Sequence, residues 1–320
     1  MTPQGGGLVV RVLTLVLLAC GAAPRASLAT EAQSSDILRR AIKEELHHLP
    51  RHERQNLLER SDANARTIAA VTGGSASAQQ RFDALNAHFF GPEGFTAISD
   101  LTTSETTSIA SVLQNRRGTC VGLAIVYLSL ARTLGLEARA VATPVHVFVR
   151  VTLNGQSRNL ELTEGGLEID NDTYKHRYHI DDASVAAGAF MGELSNDELI
   201  AHLLSNQAVA LSKHGNLKAA LKRYDRALRL HSKLVAAWYN RGIDLMDSGK
   251  LRKALDSFNH AIELYPSDSK AHNNRGLAKF KLGRVAAARG DFLKALELDP
   301  ALYEAEHNLK RLDAQQGNAR

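Results

Sequence analysis

Cysteine is the scarcest nucleophile in this 320-residue chain, which holds two, Cys20 and Cys120. Cys120 lies in Gln114-Asn-Arg-Arg-Gly-Thr-Cys120-Val-Gly-Leu-Ala-Ile-Val-Tyr-Leu-Ser-Leu-Ala-Arg-Thr-Leu-Gly135. From Val121 onward this reads as a strongly apolar helix ended by Gly135 at C′, with Gly118 breaking what precedes and Thr119 able to cap. Cys120 then occupies the first turn, beside backbone N–H groups that have no partner within the helix. Arg116 or Arg117 nearby adds positive charge, a setting suited to a reactive sulfur. The plain alternative is a buried structural cysteine.

A histidine and an acid follow at a useful spacing. Residues 137–142 read as a strand, Pro144 interrupts, and His146-Val-Phe-Val-Arg-Val-Thr-Leu153 reads as a second. Asn154-Gly155 signals a two-residue hairpin turn, with 156–162 returning as partner. Leu153 then faces Gln156, His146 faces Thr163 and Phe148 faces Glu161. Glu161 is therefore the diagonal neighbour of His146 on one face, at about 7–8 Å between Cα atoms, within reach of long side chains. Asn159 shares the face one pair further off. A cysteine at a helix start with an acid-oriented histidine is suited to acyl transfer. Backbone N–H groups at the helix start can meet the oxyanion, and Gln114 is a further side chain able to reach it.

The elements that must position these groups begin with a mostly helical stretch, residues 30–117. Ser35-Asp36 is a candidate N-cap, Gly73-Gly-Ser-Ala-Ser77 a loop, Phe89-Phe-Gly-Pro-Glu-Gly-Phe95 a tight turn pinned by aromatics, and 108–115 a short helix. The C-terminal part, 196–320, is periodic. Blocks 201–234, 235–268 and 269–302 align without a gap. Ala208, Gly242 and Gly276 are their small residues, and Gly215, Gly249 and Gly283 their turns. Ala220, Ala254 and Ala288 recur, as do Tyr224, Phe258 and Phe292, and Ala227, Ala261 and Ala295. Ser232, Pro266 and Pro300 close the blocks. Residues 303–312 continue the pattern as one capping helix.

These positions resemble the tetratricopeptide repeat. The resemblance implies stacked helix pairs whose inner groove binds a protein or extended peptide, with Tyr239, Ile243, Asn273 and Leu277 among the inward positions. Bracing the neighbouring domain is the other role such an array can have, and Trp238 reads as packing. The half before it, residues 30–195 with a helical N-terminal part, resembles over roughly 80–190 the transglutaminase-like superfamily, in particular a bacterial branch that often carries such repeats. The carrying residues are Phe89-Phe-x-x-Glu-Gly-Phe95, Ser111-Val-Leu-x-x-Arg-x-Gly-x-Cys120, Tyr127-Leu-x-Leu-Ala-x-x-Leu-Gly-Leu136, Pro144-Val-His146-Val-Phe-Val-Arg150 and Asn159-Leu-Glu-Leu-Thr-Glu-Gly-Gly166. It implies an α+β, papain-like domain with Cys120 as nucleophile, His146 as base and Glu161 as acid, where relatives usually have aspartate.

The remaining signals bound the answer. Hydrophobic residues make up 44% and charged residues 23%, which excludes a wholly disordered chain and a polytopic membrane protein. Lys+Arg 39 against Asp+Glu 34 gives +5 without basic runs, so nucleic acid is not an expected partner. Residues 1–29 hold no acid, Arg11, a short apolar stretch and small residues, the pattern of a secretory signal. Leu17-Leu-Ala-Cys20 resembles a lipobox, which would make Cys20 a lipid anchor, and Ser27-Leu-Ala29 is a competing cleavage site. The expectation is an exported protein, periplasmic or a membrane-anchored lipoprotein, whose mature chain keeps Cys120 as its reactive thiol. His176-x-x-His179 with Asp181-Asp182 reads as solvated polar sequence, and His47-His48 as helix surface. His202, His214, His231, His260, His272 and His307 share no spacing and read as surface too. No metal or cofactor is expected, because no second ligand cluster or phosphate-cradling loop appears. Three functions compete: hydrolysis of peptide or isopeptide bonds, transamidation, and a non-enzymatic binding scaffold. Nothing in the pattern speaks to oligomeric state.

Overall fold

The computed structural model describes residues 36–317. The signal segment, Cys20, the 27–29 cleavage site and the Ser35 cap lie outside the described residues. Helices α1 (Asp36–Leu46), α2 (Arg51–Thr72) and α3 (Ala78–Phe90) come first. Ser77 and Gln80 form a reciprocal capping box that starts α3. The turn after α3 is closed by Phe95 stacking on Phe89 at 4.4 Å, and Phe89 meets Tyr127 edge-on at 5.1 Å. Strand β1 (Thr96–Ala97), helices α4 (Ser104–Thr107) and α5 (Ile109–Asn115), and strand β2 (Arg117–Gly118) lead to α6 (Cys120–Thr133).

Helix α6 is the axle of the first core, buried continuously over residues 121–131. It stops where expected: Leu136 N–H donates to Ala131 O and Gly135 N–H to Arg132 O, both at 2.9 Å, with Gly135 at φ +69°. The sheet packed on it holds β3 (Glu137–Ala142), β4 (Val147–Leu153), β5 (Gln156–Glu161), β6 (Leu167–Glu168) and β7 (Glu193–Leu194), ordered β6-β5-β4-β3-β7. The hairpin register runs from Leu153↔Gln156 to Val149↔Leu160, as the Asn154-Gly155 turn dictates. Val147, Val149, Val151 and Leu153 join the core around α6. Phe148 packs with Val141, Ile169 and Tyr174 in a second cluster. Tyr174 belongs to the short helix α7 (Asn171–Arg177), which α8 (Asp182–Ala186) follows.

Three helix pairs complete the described chain: α9 (Asn196–Lys213) with α10 (Leu217–Leu230), α11 (Val235–Asp247) with α12 (Leu251–Leu264), and α13 (Ser269–Lys281) with α14 (Val285–Leu298). Helix α15 (Tyr303–Gly317) caps them. The small-against-aromatic rule has a direct cause. A Cβ on Gly242 would stand 2.6 Å from Phe258, and one on Gly276 2.8 Å from Phe292. No helix among the described residues is long and apolar enough to cross a membrane.

Two features depart from the periodic reading. Helix α9 starts at a Ser195–Glu198 capping box, ahead of the first 34-residue block. Its extension serves two cores at once: Leu199 and Leu203 enter the α6 core, while Ile200, Ala201, Leu204 and Ala208 build the repeat core. Glu44 pairs with Arg226 at 2.5 Å alongside this joint. The repeat histidines are not all surface residues either. His231 is buried against Glu198 at 3.2 Å, His272 Nε2 bonds the Pro266 carbonyl at 3.0 Å, and burial and nearby His231 push His202 down to about 3. Helical phase, rather than histidine spacing, decides which ring turns inward.

Because Leu203 is fully buried where the two cores meet, Leu203→Ala should destabilise the protein by about 2–5 kcal/mol. Urea unfolding followed by far-ultraviolet circular dichroism measures this, and a loss below about 1 kcal/mol would contradict a packed joint.

Candidate active site

Strands β1 and β2 bring the chain to the head of α6, with Ile98 N–H donating to Gly118 O at 2.8 Å. Gly118 has no room for a side chain: a Cβ there would meet Val112 Cγ2 at 2.4 Å. Thr119 caps α6 by accepting from Gly122 N–H, so Cys120 is its first residue, half-buried. His146 stands just before β4, at the end of a turn closed by Thr143 N–H on its carbonyl at 2.8 Å. Glu161 ends β5 and caps the short 3₁₀ turn Leu162–Glu164.

The structure brings these three residues together. His146 Nε2 is 2.8 Å and 2.7 Å from the two carboxylate oxygens of Glu161. Glutamate, one methylene longer than aspartate, thus reaches the ring with both oxygens. The same carboxylate accepts from Thr163 N–H at 3.0 Å, Thr163 Oγ1 at 2.5 Å and Tyr174 Oη at 3.0 Å. Burial raises the cost of charge on Glu161, yet hydrogen bonds and charge from His146 and Thr163 bring it down to about 2. Burial also opposes charge on His146, but hydrogen bonds and charge from Cys120 and Glu161 outweigh it and push the imidazole up to about 10. With Nε2 occupied by the carboxylate, Nδ1 is the nitrogen available to Cys120.

Cys120 and His146 open into a cleft of about 570 Å³. Its opposite wall comes from the repeats, including His202, Asn206, Ala236 and Asn240. Sequence reading missed this wall, although Asn206 and Asn240 carry a visible signal in sharing one position of the 34-residue period. It also missed Tyr174, and Tyr178, whose ring lies 6.0 Å from His146. Their i,i+4 spacing was the available clue.

Other expectations are corrected. Arg116 turns away to bond the Glu93 carbonyl at 2.7 Å and Asn64 at 3.2 Å, and neither Arg116 nor Arg117 lines the cleft. Gln114 lines a different cavity with Glu45 and Gln207. Of the inward repeat positions, Tyr239 lines a second cavity of about 810 Å³. Ile243 and Leu277 pack in one apolar cluster, and Asn273 is buried, its carbonyl taken by Asn308 Nδ2 at 3.0 Å. The 176–182 segment is a strut: Tyr265 Oη donates to His179 O at 3.0 Å and Asp181 pairs with Ser267.

Residues 40–205 match the transglutaminase-like superfamily, and residues 205–243 and 239–302 match the tetratricopeptide repeat. Solved structures similar to the repeat half include the first repeat domain of Spaghetti (RPAP3) bound to an HSP90 peptide, SRMEEVD. It is 26% identical, with 37% of this chain and 93% of that chain covered and a TM-score of 0.36. The Arabidopsis OM64 repeat domain is 24% identical over 36% of this chain and 96% of its own, TM-score 0.36. The first repeat domain of human RPAP3 is 26% identical over 38% and 97%, TM-score 0.36. A search of curated proteins returns no match.

The paired shifts set a stability window. The His146 contribution is full below 6.5 and lost as pH rises through about 10; that of Glu161 is full above 4.5 and lost as pH falls through about 2. Glu161→Gln should therefore lower the His146 titration from about 10, with the contribution of Cys120 remaining, read by proton nuclear magnetic resonance of the ring. It should also cost about 3–5 kcal/mol at neutral pH, as expected for breaking a buried pair. An unmoved titration would mean that Glu161 does not govern the imidazole.

Proposed function

The chain belongs to the transglutaminase-like superfamily, and on that premise we propose that it is a thiol-dependent acyl-transfer enzyme hydrolysing peptide or isopeptide bonds. Cys120 is the nucleophile, His146 its acid–base partner and Glu161 the orienting acid. The observation that carries this reading is the ion pair of His146 with Glu161, with Cys120 lining the same cleft and helping to hold the imidazole charged. In the proposed reaction Sγ attacks the carbonyl carbon, and backbone N–H groups at the head of α6 meet the oxyanion. The imidazolium gives its proton to the departing amine. Water, deprotonated by the neutral imidazole, then cleaves the thioester and restores the thiol. Glu161 holds the ring and balances its charge throughout.

The repeats supply the second half of the proposal, a protein or peptide partner held by the array. It is supported by the repeat match over residues 205–302 and by the cavities on the face that lines the cleft. Export, with Cys20 either removed or lipidated, belongs to the same reading and rests on the pattern of residues 1–29.

Alkylation by iodoacetamide at neutral pH tests the nucleophile. Cys120 should react faster than free cysteine, His146→Ala should slow it by about 10²-fold, and Cys120→Ala should abolish the signal. A rate no greater than that of free cysteine overturns the enzyme and leaves a binding scaffold. Incorporation of a fluorescent primary amine into added protein, lost in Cys120→Ala, would place transamidation ahead of hydrolysis.

A further inference from the structure

Asparagine recurs at one position of the repeat period, as Asn206, Asn240, Asn274 and Asn308. The two distant ones are tied down: Asn274 Nδ2 donates to Tyr239 Oη at 2.9 Å, and Asn308 Nδ2 to Asn273 at 3.0 Å. Asn206 and Asn240 line the cleft with Cys120, and their carboxamides have no partner among the described residues. Apart from Cys120 and His146, whose charges answer each other, none of the side chains lining this cleft carries a charge; burial keeps His202 neutral. The second cavity shares Pro144, Val145, Ala236 and Asn240 with the first, so the two form one path. Val145, at the lip between them, is 80% exposed.

We infer that the inner face of the repeats is the second wall of the reaction site, and that what it holds is the substrate: an uncharged, extended, internal stretch of a polypeptide laid along Asn206 and Asn240, with one carbonyl at Cys120. The inference rests on Cys120 being the nucleophile. A free carboxamide offers one acceptor and two donors, the complement of a backbone amide that must lose water to enter the cleft. Chain ends and charged side chains would be desolvated there without a counter-ion, so an internal neutral segment fits and a terminus does not. Exposed Val145 gives an apolar contact on the way to the second cavity, where Tyr239, Asp268 and Lys270 receive the rest of the chain.

The test alkylates Cys120 of the full chain with iodoacetamide and with a panel of N-acetylated tetrapeptide chloromethyl ketones, uncharged or carrying one Asp or one Lys. Each rate is divided by that of free cysteine. The fastest uncharged peptide should outpace iodoacetamide by about tenfold or more on this scale, and its charged counterparts should lose most of that advantage. Asn206→Ala and Asn240→Ala should each cut the peptide-to-iodoacetamide ratio about five- to tenfold, the worth of one hydrogen bond. Asn308→Ala should leave the ratio at the wild-type value. A variant that merely disturbs the fold lowers both rates and not their ratio. Rapid iodoacetamide reaction with a ratio insensitive to both asparagines, or equal rates for charged and uncharged peptides, overturns this inference alone. Iodoacetamide reaction no faster than free cysteine overturns the nucleophile reading and this inference with it.

Discussion

The arrangement depends on one buried carboxylate. Glu161 is 1% exposed, and a charge so placed is tolerated only if every lone pair finds a donor and an opposite charge stands close. Thr163, Tyr174 and His146 meet that demand. Each is fixed by a different element: the 3₁₀ turn by Glu161 itself, Tyr174 by stacking on Phe148 at 4.0 Å, and His146 by the turn leading into β4. A one-residue slip of the β4–β5 hairpin would carry Glu161 to the other face of the sheet and strip it of His146 and Tyr174. Hairpin register, aromatic stack and ionised imidazole therefore stand or fall together.

A second constraint fixes the repeats over this centre. Helix α9 contributes to two cores, so the array is not hung from a flexible linker. Further along, Phe190 meets Tyr265 edge-on at 5.1 Å and packs with Val235 and Ala261. Two joints separated along the array resist both swing and slide. The wall that α9 and α11 present to Cys120 is consequently as well determined as the core that holds Cys120.

Local chemistry was legible in the sequence, and distant placement was not. Asn154-Gly155 permits one tight turn, so the pairing of β4 with β5 and the diagonal of His146 with Glu161 could be read from spacing. Thr119 and Gly135 likewise bracketed α6. Arg116 could not be read this way, because its αL backbone at φ 54° sends the side chain to Glu93 and Asn64. Nor could the burial of His231 and His272, which depends on the contacts each helix makes rather than on their order in the chain. The cleft wall of Asn206 and Asn240 follows from Leu199, Leu203 and Tyr265 docking across the domains, contacts that no local pattern encodes.

The division of labour across the cleft has an electrostatic logic. Its charge comes from the core domain, where Cys120 and Glu161 hold His146 ionised against the cost of burial. The repeat side lines it with neutral groups. Two unit charges about 8 Å apart at an effective dielectric near 20 interact by about 2 kcal/mol, enough to move a pKa by more than one pH unit. A lysine or aspartate on the repeat wall would therefore shift the titration of the imidazole itself. Carboxamides such as those of Asn206 and Asn240 offer hydrogen bonds without a net charge, so the imidazole answers to Glu161 and Cys120. Such a wall can change in shape, repeat by repeat, without changing the acidity of His146.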